Sequence, residues 1–122
     1  MIGWVAAGGA IGSAARYVLA GLVHRYTSAF FPYGTFAVNA AGCLAFGVIF
    51  GLTEQRFVIS PAVRAFLLIG VLGGFTTFSS YAFESFQLMR DAQYLRASVN
   101  VAGQVVVGLA CFWLGYQVNR LI

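Results

Sequence analysis

The sequence predicts an all-α integral membrane protein with four transmembrane helices. Apolar and aromatic residues make up 61% of its 122 residues, and charged residues only 8%. Soluble domains carry roughly 25% charged residues. Four stretches approach or exceed the length of about 20 mostly apolar residues that a helix needs to cross a bilayer, and they leave little else. We therefore expect a single four-span transmembrane domain over residues 1–122.

The predicted spans are runs of apolar residues bounded by charges and prolines. They cover residues 2–23, 35–52, 62–89 and 97–118, and the connections between them hold most of the charge. Pro32 and Pro61 fall near predicted helix starts, where proline is tolerated. The two halves of the chain do not resemble each other, so any symmetry in the assembly has to come from a second copy of the chain.

The arginines give no preferred orientation in the membrane. With four spans, the N-terminus, the second connection and the C-terminus share one side, which carries Arg56, Arg64 and Arg120. The opposite side carries Arg25, Arg90 and Arg96. Positive loops stay in the cytoplasm, so this balance has two interpretations. Either the span boundaries are imprecise, or the chain inserts both ways round and pairs as an antiparallel homodimer.

Small residues predict close helix packing. Three pairs of glycines lie four residues apart, a spacing that lets helices approach closely in lipid. These pairs are Gly8/Gly12, Gly47/Gly51 and Gly70/Gly74.

Few polar residues fall inside the predicted spans, and their types narrow the chemistry. Away from the three residues at each span end, they are Ser13, Arg16, Asn39, Thr76, Thr77, Ser79, Ser80, Glu84, Ser85, Asn100 and Gln104. No set of His, Cys and carboxylate groups suits a catalytic metal, and no Ser/His/Asp set is present, so we do not expect an enzyme. Hydroxyls, amides and one guanidinium remain, all able to donate hydrogen bonds. Such a donor-rich inventory favours a small anion over a cation.

The third span carries the densest polar signal, the stretch Gly70-Val-Leu-Gly-Gly-Phe-Thr-Thr-Phe-Ser-Ser-Tyr81. One interpretation is a broken helix that lines a cavity, with freed carbonyls able to hold a cation. The other is a continuous helix whose hydroxyls bond back to the preceding turn. Phe78 and Tyr81 share a helical face. They either pack against lipid and a neighbouring helix or present the positive edges of their rings to an anion.

Together these motifs resemble those of the Fluc-type (CrcB) fluoride channels of bacterial and archaeal membranes. The similarity runs over essentially the full length. The matching pieces are Gly9-Ala-Ile-Gly12 with Arg16-Tyr17, then Tyr33-Gly-Thr-Phe-Ala-Val-Asn39 with Gly42, then the Gly70–Tyr81 stretch with Glu84. Each piece alone is a modest signal, but their order in a four-span chain of this length is specific.

The resemblance implies an antiparallel dual-topology homodimer in the prokaryotic cell membrane. It implies passive fluoride export through two pores, fluoride resistance, and a structural sodium ion (Na+) at the dimer centre. Gly73 and Thr76 would give backbone carbonyls to sodium, and Arg16 would lie in the vestibule. The implied pore residues are Asn39, Thr77, Phe78, Ser79, Ser80, Tyr81, Glu84, Asn100 and Gln104. Two of them depart from the family pattern: Tyr81 replaces the usual Phe, and Gln104 replaces a small hydroxyl residue.

Three other functions are compatible with parts of this sequence. A small multidrug-resistance type transporter is also a four-span, dual-topology dimer, but it relies on a carboxylate in the first span, where this chain has Arg16. A non-conducting membrane assembly subunit would explain the glycines but not the hydroxyl cluster. A small membrane enzyme such as a lipid kinase would need metal-binding carboxylates that the spans lack.

Overall fold

The computed structural model describes residues 1–122, and every regular element in it is a helix. The elements are α1 (Ile2–Tyr26), α2 (Tyr33–Gln55), α3 (Pro61–Arg64), a π-helix (Ala65–Leu72), α4 (Gly73–Phe75), α5 (Phe78–Arg90), α6 (Tyr94–Gln117) and a final 3₁₀ turn (Val118–Arg120). Four helical segments are long and apolar enough to cross a membrane: Ile2–Tyr26, Tyr33–Gln55, Pro61–Arg90 and Tyr94–Arg120. The predicted all-helical, four-span architecture is confirmed.

The helices extend beyond the predicted spans at most of their ends. α1 continues to Tyr26, α2 continues to Gln55, and α6 already begins at Tyr94. Most of the added residues are polar, charged or aromatic. They lower the local hydropathy but remain helical, so hydropathy alone underestimates the length of the helices. The α5–α6 connection is correspondingly tight, and Ala92 within it has a left-handed backbone with φ of 57°.

α1 packs directly on the backbone of the third span. A Cβ at Gly12 would collide with the carbonyl of Val71, and a Cβ at Gly70 would lie 2.9 Å from Gly8 Cα. Side chains at these positions would hold the two helices apart, as the four-residue glycine spacing predicts. A similar contact joins α2 and α6, where a Cβ at Gly47 would collide with the carbonyl of Phe112.

The third span changes its hydrogen-bond pattern twice. Ala65–Leu72 forms a π-helix, a rare geometry that is enriched at functional sites, and nothing in this apolar stretch predicts it. Further along, Thr76 (ψ 155°) and Thr77 (ψ 111°) are extended between α4 and α5. The hydroxyl-rich segment therefore includes two residues outside the regular helices.

Glycines and polar residues dominate the interior of the protein, whereas large apolar side chains lie on its exterior. The 20 buried residues comprise nine glycines, six polar residues and five apolar residues. The buried polar residues are Thr35, Thr77, Ser85, Asn100, Gln104 and Asn119. Large apolar side chains instead lie exposed along every long helix, as expected of helices surrounded by lipid.

Gly12→Ala tests the close approach of α1 to the third span. The added methyl meets the Val71 carbonyl, and overpacking of this kind costs about 1–3 kcal/mol. Gly21→Ala is the matched control on the same helix, because a Cβ there meets nothing within 4 Å. We expect thermal melts in detergent to show a lower midpoint for Gly12→Ala and an unchanged or higher one for Gly21→Ala. Equal midpoints for the two variants would contradict the packing.

Candidate functional site

Asn39 forms two hydrogen bonds with the backbone of Thr77, one of the two extended residues between α4 and α5. The Thr77 N–H donates to Asn39 Oδ1 at 2.8 Å, and Asn39 Nδ2 donates to the Thr77 carbonyl at 3.1 Å. Asn39 is an amide in an otherwise apolar stretch of α2, where an unpaired polar group would cost several kcal/mol. It therefore supplies both hydrogen bonds that the extended backbone of Thr77 cannot obtain from a helix.

A chain of hydrogen bonds continues from Asn39 to α6 and back to α5. Asn39 Nδ2 also donates to Gln104 Oε1, and Gln104 Nε2 donates to Asn100 Oδ1, each at 2.8 Å. Asn100 Nδ2 donates to Ser85 Oγ at 2.8 Å, and Ser85 Oγ donates to the Tyr81 carbonyl at 2.7 Å. Asn100, Gln104 and Ser85 are all buried, so this chain satisfies polar groups that water does not reach.

Thr77 also begins α5. Its Oγ1 accepts from the Ser80 N–H at 3.2 Å, the ordinary contact of a helix N-cap. The same hydroxyl contacts Ser80 Oγ at 3.1 Å and Ser79 Oγ at 3.4 Å. Three of the predicted site residues are thus brought together at the start of one helix.

Two carbonyls are released from the helical ladder by these contacts. In a continuous helix the Thr77 N–H would bind the Gly73 carbonyl and the Ser80 N–H would bind the Thr76 carbonyl. Instead, the first N–H binds Asn39 Oδ1 and the second binds Thr77 Oγ1. Gly73 is also exposed. The two predicted sodium ligands are therefore carbonyls that have lost their usual helical partners.

The amides and aromatics share a cavity of about 320 Å³. It is lined by Asn39, Gly42, Cys43, Phe46, Thr76, Thr77, Phe78, Tyr81, Gln104, Val105 and Phe112. We call it the amide cavity. Five of its residues were predicted as pore residues, and none carries a charge. Its polar atoms belong to side-chain amides, hydroxyls and the Thr76–Thr77 backbone.

A second cavity, of about 510 Å³, adjoins the first at Thr77, which lines both. Its lining includes Ser13, Arg16, His24, Thr35, Thr77, Ser80 and Glu84. We call it the arginine cavity. Arg16 forms no hydrogen bond within the chain. It forms no ion pair either, because the only ion pair joins Arg90 to Asp91. Arg16 is thus a permanent positive charge available to a ligand in this cavity.

Glu84 lies between the arginine cavity and a further cavity of about 350 Å³ near the α5–α6 connection, and lines both. Its Oε1 accepts from Thr35 Oγ1 at 2.8 Å, whereas its Oε2 is buried with no partner. A buried acceptor without a donor is costly. Glu84 is therefore a group that a passing proton or hydrogen-bond donor would stabilise.

The two predicted pore aromatics contact each other and differ in their surroundings. The ring centroids of Phe78 and Tyr81 are 5.5 Å apart, with the planes tilted by 46°. Phe78 is 79% exposed, whereas the Tyr81 hydroxyl donates to the Val101 carbonyl at 2.9 Å. The hydroxyl that distinguishes Tyr81 from the usual Phe is therefore engaged in a bond between α5 and α6.

Some predicted site residues lie apart from both cavities. Ser79 lines neither cavity, and Asn100 is 0% exposed and lies behind Gln104 in the hydrogen-bond chain. Sequence reasoning left Ser85 and Thr35 out of the site, although each bonds to one of its members. Ser85 carried a signal as a hydroxyl next to Glu84 inside a span, but its partner on α6 was not visible from the sequence.

Comparison with known proteins places the chain in a family. The family model described as CrcB-like protein, Camphor Resistance (CrcB), matches residues 3–116. The chain belongs to the CrcB family. The match includes most or all of each of the four helical spans, and it confirms the resemblance drawn from the sequence motifs. Family and helices together make this CrcB protein a multi-pass membrane protein, as predicted.

Its relatives are similar over almost their whole length. Three of them are named "Fluoride-specific ion channel FluC". The one from Nitrosococcus oceani is 43% identical over 121 residues, covering 99% of this chain and 97% of the relative. The one from Nitratidesulfovibrio vulgaris (strain DSM 19637 / Miyazaki F) is 50% identical over 114 residues, covering 93% and 92%. The one from Maridesulfovibrio salexigens is 44% identical over 119 residues, covering 98% and 94%.

Proposed function

We propose that this protein is a fluoride-selective channel that passively exports fluoride across the cell membrane of a bacterium and confers fluoride resistance. One structural observation carries the proposal: the amide cavity and the arginine cavity adjoin at Thr77 and offer amides, hydroxyls and a free guanidinium. Relatives of 43–50% identity that bear the name of a fluoride channel support it. A channel performs no covalent chemistry, in keeping with the expectation that the protein is not an enzyme.

The donor set suits fluoride for physical reasons. Fluoride is small and strongly hydrated, so several donors have to replace its water at once. Arg16 attracts the anion into the arginine cavity, and Thr77 and Ser80 line the way onward. In the amide cavity, the Gln104 amide and the edges of the Phe78 and Tyr81 rings offer partial positive charge without a full charge that would trap the ion.

Passive conduction is enough for export. Hydrogen fluoride crosses membranes from acidic surroundings and ionises inside the cell. The negative-inside membrane potential then drives the anion outward at about 2.3 kcal/mol per charge for each 100 mV. No nucleotide site or coupled ion is required. A multidrug transporter is disfavoured because α1 contains no acidic residue to bind a cationic drug.

Purified protein in liposomes tests the proposal directly. We expect fluoride efflux, measured with a fluoride-selective electrode, when a permeant counter-ion relieves the charge. Chloride and a cationic drug, measured in parallel, are expected to show no comparable flux. Drug transport coupled to protons in place of fluoride efflux would overturn the proposal.

Phe78→Ile tests the ring edge in the same assay. Isoleucine preserves apolar bulk but removes the positive edge of the ring, so we expect fluoride flux to fall at least tenfold, about 1.4 kcal/mol of barrier. Phe83→Ile is the matched control, because Phe83 is also exposed on α5, at 60%, but lines neither cavity. Parental flux in both variants would show that Phe78 only packs.

We further propose that two copies of the chain pair in opposite orientations as an antiparallel homodimer. The balance of three arginines on each side supports insertion both ways round. The exposed apolar and glycine-bearing surface around Gly73 and Phe78 supports a partner there. A two-fold pair would place two equivalent pathways side by side.

Added positive charge tests the dual topology. Leu121→Arg with Ile122→Arg is expected to fix the C-terminal side in the cytoplasm, and Ser28→Arg with Ala29→Arg to fix the opposite orientation. Each biased chain alone should lose fluoride resistance in cells, and co-expression of both should restore it. Normal resistance from either biased chain alone would contradict antiparallel pairing.

Finally, we propose that the carbonyls of Gly73 and Thr76 hold a structural sodium ion together with those of the second copy. The support is local: both carbonyls lack their helical N–H partners, and oxygen donors suit a hard cation. A Cβ at Gly73 meets only the Leu68 carbonyl, at 3.8 Å. The backbone there is open to a partner or an ion.

Replacing sodium tests this site. After long dialysis against N-methylglucamine, a cation too large for a carbonyl site, we expect fluoride flux to fall while the fluoride-to-chloride ratio stays unchanged. Returning sodium should restore the flux. Flux that is indifferent to the cation throughout would argue against the site.

A further inference from the structure

We propose that Gln104 is the amide that donates to the anion in the amide cavity, and that Asn39 is a positioning residue. The inference rests on the proposed function, because it names which amide recognises the conducted ion. Both residues are primary amides inside a span, so their residue types alone suggest one shared role. The proposal gives them different roles.

The orientation of every amide in the chain follows from its two backbone ends. The Thr77 N–H can only donate, so Asn39 has to present Oδ1 to it, at 2.8 Å. The Tyr81 carbonyl can only accept, so the Ser85 hydroxyl has to donate to it, at 2.7 Å. These two fixed backbone groups, one at each end, determine which atom donates and which accepts in every hydrogen bond of the chain between them.

Both ends orient Gln104 the same way. From Thr77, Asn39 turns Nδ2 toward Gln104, whose Oε1 accepts at 2.8 Å. From Tyr81, Ser85 accepts from Asn100 Nδ2, which leaves Asn100 Oδ1 to accept from Gln104 Nε2 at 2.8 Å. A flip of Gln104 would set nitrogen against nitrogen and oxygen against oxygen. The Gln104 amide is therefore fixed at both of its heavy atoms.

Counting amide hydrogens then separates the roles. Asn39 Nδ2 has two hydrogens and two acceptors, the Thr77 carbonyl and Gln104 Oε1, so none remains for a ligand. Gln104 Nε2 has two hydrogens and one acceptor within the chain, Asn100 Oδ1. Gln104 also lines the amide cavity, whereas Asn100 does not. Among the side-chain amides of this cavity, the spare donor is therefore the second hydrogen of Gln104 Nε2.

Preorganisation is the advantage of this arrangement. A donor that is already oriented needs no rearrangement when the anion arrives, which is the condition under which a single hydrogen bond contributes most. Asn39 contributes by holding Gln104 Oε1 and the extended backbone of Thr77. It acts on the anion through these groups and not by its own N–H.

Fluoride titration followed by NMR tests the assignment on the parental protein. The chain contains three Asn and five Gln, so ¹⁵N labelling of these two residue types gives a small set of side-chain amide signals. The Gln104 pair is identified by its loss in Gln104→Met, or in Gln104→Glu if the first variant does not fold. We expect fluoride, but not chloride, to shift one Gln104 proton strongly downfield and to leave both Asn39 protons nearly unmoved. Shifts at Asn39 without a shift at Gln104 would overturn the proposal.

Asn39→Asp provides a readout for the positioning role. The carboxylate still accepts from the Thr77 N–H, but it offers no hydrogen to Gln104 and takes one from Nε2 instead. We therefore expect the fluoride-induced shift of Gln104 to disappear in this variant. A Gln104 shift equal to that of the parent would show that Asn39 does not position it.

Flux measurements separate this inference from the proposed function. Gln104→Met is expected to lower fluoride flux about a hundredfold, as loss of one preorganised donor to an anion does. Gln117→Met is the matched control, an amide on the same helix that lines none of the three cavities. If parental liposomes do not release fluoride, the proposed function fails. If they do and Gln104→Met releases it equally fast, only the present inference fails.

Discussion

The pair of hydrogen bonds between Asn39 and the backbone of Thr77 is the interaction on which the site depends. Two extended residues inside a membrane span expose backbone groups that lipid cannot satisfy, at several kcal/mol each. Asn39 binds both polar groups of Thr77. Without Asn39, the third span would satisfy these backbone groups better as a regular helix. The N-cap at Thr77, the released carbonyls and the junction of the two cavities all require that this does not happen.

The surrounding packing allows a polar interior in so small a protein. Glycines at the α1 contact with the third span and at the α2–α6 contact let backbones approach closely, and nine of the 20 buried residues are glycines. The space between α2, α5 and α6 is then available to amides and hydroxyls. Asn39, Gln104 and Asn100 each bond across a helix interface, and the polar network thereby fixes the register of three helices as well as the cavity lining.

Sequence reasoning was effective where the physical signal is local. Hydropathy located the four spans, and the glycine spacing located the close contacts, because both depend on residues within one helix. It also identified Asn39 as a polar residue inside an apolar span. The partner itself, Thr77, is 38 residues away, and the bond from Asn39 to Gln104 spans 65 residues. Pairings at this distance depend on how the helices are arranged, which a single sequence does not reveal.

The π-helix and the division of roles among the amides were unpredictable for related reasons. The π-helix segment, Ala65–Leu72, is uniformly apolar, so a wider turn leaves no trace in its residue types. Asn39, Asn100 and Gln104 are all primary amides, and only the direction of their hydrogen bonds distinguishes them. Tyr81 is similar: the sequence shows an added hydroxyl, but its partner, the Val101 carbonyl, lies on another helix.

The released carbonyls of Gly73 and Thr76 have a thermodynamic consequence. The Thr77 N–H has one hydrogen, which binds either Asn39 Oδ1 or the Gly73 carbonyl as a full hydrogen bond. Any cation that occupies the carbonyls therefore favours the Asn39 bond, and the Asn39 bond favours the cation by the same free energy, because linkage is reciprocal. Binding of a cation at the surface of the third span would in this way be coupled to amide order inside the cavity.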